Sequence, residues 1–64
     1  MKRDQFLREL AGLAKYRGMI LVVDRQGGKG SHYKVWIGAR ASIVQSGEIT
    51  PLLALKIKRQ LGLI

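Results

Sequence analysis

The sequence changes its apolar period twice. Its first part, DQFLRELAGLAKYRG, and its last, ITPLLALKIKRQLGLI, repeat apolar residues every three or four positions, while the middle is rich in β-branched residues and punctuated by glycine. The first spacing draws an apolar stripe along a helix, and the second pattern is that of short strands between turns. In the first helix the stripe is Phe6, Leu7, Leu10, Ala11, Leu13 and Ala14; Asp4 can cap its start, and Gly18 lies beyond its end. The second helix is expected from Pro51 to Leu61, with Thr50 as N-cap, Pro51 at the first helical position and Gly62 as the stop. Leu53, Ile57 and Leu61 form its inward row with Leu52 and Leu55 beside it, and Lys56 and Arg59 turn outward.

Three strands are predicted between the helices: MILVVDR, then SHYKVWI after the turn QGGKG, then RASIVQ after the two-residue link GA. The result is a single α+β domain over residues 1–64, in the order α-β-β-β-α, with a three-stranded antiparallel sheet. A chain of this length has no residues for a third layer, so both helices must cover the same sheet face. Strand alternation then assigns Tyr33, Val35 and Ile37 to the core and His32, Lys34 and Trp36 to the face left open.

Charge narrows the partners. Twelve Lys and Arg stand against four acids, a formal net charge of +8, in a chain that is 47% apolar. A folded body so charged attracts polyanions, which makes RNA, DNA, an anionic membrane or an acidic protein the candidates; the same charge could serve solubility alone. The longest apolar run, Met19 to Val23, is far short of the roughly 20 residues that span a bilayer, and the N-terminus lacks the apolar core of a signal peptide, so neither membrane insertion nor export is expected. The absence of cysteine rules out disulfides and thiolate metal sites and permits a cytoplasmic location.

His32 is the only histidine, and it follows a glycine-rich turn at the head of the second strand. With Lys34 for phosphate and Trp36 for a base, it supplies the parts of an RNA-acting surface. Lys29 can reach the same side, Arg40 is placed near it, and Gly30 and Ser31 offer backbone N–H groups where a phosphate can approach. Each has a plainer reading: a surface or core histidine, a tryptophan packed on a helix or partner, a solvated lysine, hairpin glycines. One histidine with four scattered acids (Asp4, Glu9, Asp24, Glu48) has no metal-ligand spacing, and GGKGS lacks the spacing and following helix of a phosphate loop, so neither metal nor small-molecule cofactor is expected. Ser31 and His32 point to opposite faces of a strand and make a poor nucleophile and base pair.

Over nearly its full length the chain resembles the HicA toxins, messenger-RNA interferases of HicA-HicB toxin-antitoxin pairs. The resemblance lies in the first amphipathic helix, KGSH opening the second strand, a short turn, a third strand, and SGEI leading to a helix ending KIKRQLGL. It implies a double-stranded-RNA-binding-domain-like fold, RNA cleavage without metal, and a HicB-type antitoxin as partner. It places the catalytic histidine at His32, the histidine of the GSH motif. One departure is IVQSGE, with Gln45, where many members have a proline and a second histidine; the general acid is thereby unassigned. The expected chemistry is removal of a ribose 2′-hydroxyl proton by neutral His32, attack on the adjacent phosphorus, and stabilisation of the developing charge by Lys29, Lys34 and backbone N–H groups. The alternatives are a non-catalytic RNA-binding module, such as a ribosome-associated protein, and an interaction domain anchored by Trp36.

Overall fold

The chain folds through the order α1 (Arg3–Tyr16), β1 (Leu21–Asp24), β2 (Tyr33–Ile37), β3 (Arg40–Val44) and α2 (Pro51–Gln60). The computed structural model describes residues 1–26 and 32–64. The α+β class and the α-β-β-β-α order are those expected from the sequence.

Helix α1 begins one residue before the expected cap. Lys2 is the N-cap, and Asp4 lies inside the first turn rather than capping it. The cause is tertiary: Lys2 forms an isolated bridge with Glu48, and the Met1 amine donates to the Ile49 carbonyl at 3.1 Å, so the start of the chain is held against the segment before α2. At its other end, Gly18 takes φ +73°, its N–H donates to Lys15, and the Met19 N–H donates back to Ala14. That is a Schellman motif, and it withdraws Met19 from the first strand. Helix α2 ends in the same way, with Gly62 at φ +77° and Leu63 N–H bonded to Lys58. Its start is capped as expected: the Thr50 hydroxyl accepts from Leu53 N–H at 3.2 Å and Pro51 opens the helix.

The strands form an antiparallel meander in the order β1-β2-β3. The link between β2 and β3 is Gly38-Ala39, and Gly38 alone takes a positive φ, the pattern of a type II′ hairpin. This turn fixes the register Ile37↔Arg40, Val35↔Ser42 and Tyr33↔Val44, while Leu21 and Val23 of β1 face Ile37 and Val35.

Phe6, Leu10 and Ala14 from α1 and Ala54 and Ile57 from α2 meet Val35, Ile37 and Val44 in one core, closed by Ile49, Leu61 and Leu63. Both helices therefore pack on one sheet face. They run side by side in the same direction, tied near their starts by Met1 and Glu48, in the middle by Lys58 and Glu9 at 2.7 Å, and at their ends by Arg17, whose guanidinium donates to the Gly62 and Leu63 carbonyls. Leu52 and Leu55, expected beside the inward row, are exposed; α2 instead turns the small Ala54 inward with Ile57 and Leu61. Among the described residues no helix is long and apolar enough to cross a membrane.

Candidate nucleic-acid interface

The open sheet face is built in rows. Trp36 sits between Val22 and Ala41, and Lys34 sits between Asp24 and Ile43. Continuing both registers by two residues from the Lys34 row sets His32 between Gln26 and Gln45. His32 is exposed, just ahead of the first residue of β2, so it carries no part of the core.

Lys34 and Trp36 are brought together: the lysine Nζ lies 4.6 Å from the indole ring centroid. The tryptophan is half-buried. The face is more apolar than a basic strip, because Val22 and Ile43 are 54% and 45% exposed and the cross-strand neighbour of Lys34 is an acid, Asp24. It therefore offers a floor for aromatic bases with few cations on it. Asp24 is itself engaged, accepting the Gln26 N–H at 2.9 Å.

Arg40 does not belong to this surface. The two-residue hairpin pairs it with Ile37, a core residue, which puts it in the helix-facing set at the opposite end of β2 from His32. Its side chain lies along the end of α2, where a Cβ on Gly62 would come within 2.9 Å of the arginine Cδ. The signal was present in the sequence: once Ile37 faces the core, a two-residue turn sends Arg40 to the same side. Lys29, Gly30 and Ser31 lie outside the described residues.

The sequence reading missed a cationic cluster at the His32 end. The guanidinium carbon of Arg3 stands 3.7 Å from the centroid of the Tyr33 ring, and that of Arg25 stands 5.6 Å from the same ring. Continuing the β1–β2 register by one residue puts Arg25 across from Tyr33. Nearby, Glu48 holds the Met1 ammonium, and that hydrogen bond and charge, with a further contribution from Lys2, keep its carboxyl below the ordinary value.

A groove of about 510 Å³ runs between β3 and α2, lined by Ser42, Leu53, Lys56 and Gln60 among others, away from His32. In it the buried Ser42 hydroxyl donates to the Gln60 side-chain oxygen, so the serine is satisfied within the fold. Among the described residues no three His, Cys, Asp or Glu side chains stand together as a metal site would need.

No family model, no curated protein and no solved structure matches this chain.

Proposed function

We propose that this chain is a metal-independent endoribonuclease, a messenger-RNA interferase of the HicA type with a double-stranded-RNA-binding-domain-like fold, acting in the cytoplasm and held inactive by a HicB-type antitoxin. One observation carries the reading: an exposed histidine heads β2 in the same alternating set as Lys34 and Trp36, on the sheet face that both helices leave open. A base stacked on Trp36 would run its backbone toward Lys34 and His32. Neutral His32 then takes the 2′-hydroxyl proton, the oxygen attacks the neighbouring phosphorus as the P–O5′ bond breaks, the leaving 5′-oxygen takes a proton from water, and Lys34 offsets charge on the phosphoryl oxygens. The proton acceptor and the charge-offsetting cation are both side chains of this chain, so the step is written without a metal. The antitoxin is expected to cover His32 and Trp36 with an acidic surface.

Gln45 supports a second reading. It falls across from His32 on the continued register, and a carboxamide cannot protonate a leaving 5′-oxygen. A domain with that row could bind RNA without cutting it.

The two readings separate in one experiment. Purified protein and its His32→Ala variant are incubated with RNA in chelator, and the products are analysed for end groups. The interferase should leave 2′,3′-cyclic phosphate or its hydrolysis product and a 5′-hydroxyl, and the variant should lose about 10² to 10⁴ in rate with stability changed by no more than about 0.5 kcal/mol. RNA bound but intact with the wild-type protein would favour the binding module, and undiminished cleavage by the variant would remove His32 from the mechanism.

A further inference from the structure

Tyr33 is the residue next to His32, yet it belongs to the helix-facing set of β2; expected in the core, it is half-buried outside the core cluster, with Arg3 of α1 over its ring. Two guanidinium groups share its ring: Arg3 from the first residue of α1 at 3.7 Å, and Arg25 from the residue after β1 at 5.6 Å. Like charges gathered on one ring repel, and the ring offsets this through its negative face. The arrangement has a further effect on Arg25. A guanidinium held beside an aromatic plane is restricted in orientation, and its N–H edge, unlike a lysine ammonium, matches the oxygens of a phosphate in a two-pronged contact.

Position makes this relevant to the proposed reaction. Arg25 follows β1 directly and its guanidinium sits by the Tyr33 ring; on a β1–β2 register continued by one residue its backbone would fall one row from His32 along the sheet and one strand over, with the two side chains on opposite faces. Strand spacings of about 3.3 Å per residue and about 4.8 Å between strands put the two backbone positions about 6 Å apart. A nucleic-acid backbone in contact with His32 would meet Arg25 at an adjoining phosphate by passing over the end of the sheet from the open face to the helix side. Arg25 is exposed, whereas Arg3 is half-buried under it and supports the ring.

The acids around the cluster do not cancel it. Asp4 lines one hollow with Lys2 and Arg3 and another with Arg8 and Arg25. Asp24 accepts from the backbone of its own turn and Glu48 is bound to the Met1 ammonium. Lys2, Arg3 and Arg25 against Asp4 and Asp24, with Glu48 offset by the Met1 ammonium, still leave the cluster positive.

We propose that Arg25, oriented by the Tyr33 ring that it shares with Arg3, binds the RNA phosphate next to the one His32 acts on, and draws the strand off the sheet face toward the start of α1. The inference rests on the reading of the chain as an RNA-acting protein, and it makes Arg25 a positioning residue rather than a catalytic one.

The test uses a 2′-deoxy oligonucleotide, which lacks the attacking hydroxyl and is bound without being cut. Its affinity is measured by fluorescence anisotropy over a range of salt for the wild-type protein, Arg25→Gln, Arg25→Lys and, on the sheet face, Lys34→Gln. Arg25→Gln should weaken binding several-fold and reduce the salt slope by about 0.7, the contribution of one phosphate contact on a single strand. Arg25→Lys should keep the slope but bind more weakly than wild type, because charge remains while the fork is lost. An Arg25→Gln protein with wild-type affinity and slope, beside a weakened Lys34→Gln, would overturn the Arg25 site and leave the RNA reading standing. A wild-type protein that does not bind the oligonucleotide overturns both.

Discussion

Lys34 holds its ammonium nitrogen 4.6 Å from the centre of the Trp36 indole. The two residues lie two apart on one strand, which puts both side chains on the same face, and the contact fixes a cation above part of an aromatic surface. A base that stacks on this indole must share it with Lys34 or displace the lysine toward its own phosphate. Trp36 is the only tryptophan, so its emission reports the event alone. Addition of RNA is expected to quench or shift that emission, and Trp36→Ala should cost about 1 to 3 kcal/mol of binding to single-stranded RNA. Emission that stays constant as RNA saturates the protein would count against stacking.

Two glycines should respond in opposite directions to the same substitution. Gly12 is exposed within α1 with open space where a Cβ would stand, so Gly12→Ala should stabilise the fold by up to about 1 kcal/mol, the helix-propensity difference. Gly62 holds φ +77° at the close of α2, and a Cβ there meets Arg40. Gly62→Ala should destabilise by about 1 to 2 kcal/mol from left-handed strain alone. Chemical denaturation of the two variants gives both signs.

Leu10 is fully buried where α1 meets the sheet. Leu10→Ala should cost about 2 to 5 kcal/mol, against the roughly 3 to 5 kcal/mol that one core in a domain of this size supplies. The variant is expected to be largely unfolded at 25 °C by circular dichroism; a cooperative transition close to the wild-type midpoint would contradict the packing.

Glu48 gives the fold an acid-sensitive tie. Its carboxyl titrates below the ordinary 4.5 in the folded chain because of the Met1 ammonium, so folding favours the charged form. The stabilisation is complete above pH 4.5 and is lost as pH falls through the lowered folded value. Thermal melts of wild type and Glu48→Gln should therefore differ above pH 4.5 and converge on acidification. Melting curves separated by the same amount at pH 2 and pH 7 would show that the charge is not the cause.

What could be read from the sequence is what local chemistry decides. Thr50, Pro51 and Gly62 mark α2 because cap, first turn and stop each require a particular residue type. The face of α2 was less legible: PLLALKIKRQL is apolar on more than one side, and only packing beside α1 shows that Ala54 is inside and Leu52 outside. Asp4 has the chemistry of a cap, but the contacts of Lys2 with Glu48 and of Met1 with Ile49, far away in sequence, start the helix earlier. The alternation of β2 separated His32, Lys34 and Trp36 from the core correctly. The Tyr33 cluster was hidden because Arg3 and Arg25 stand far apart in sequence and meet only through register and helix packing.

The shared direction of the two helices has an electrical consequence. Peptide dipoles sum along a helix to about half a positive charge at its start, and antiparallel neighbours would cancel one another at each end. Here α1 and α2 both begin where Met1 meets Glu48 and both finish where Arg17 meets Gly62 and Leu63, so their fields add. The summed positive pole lies at the end of the sheet that carries His32 and Arg25. The backbone itself thus gives the domain a polarity, independent of which side chains are charged, and an approaching polyanion meets a molecule with a front and a back.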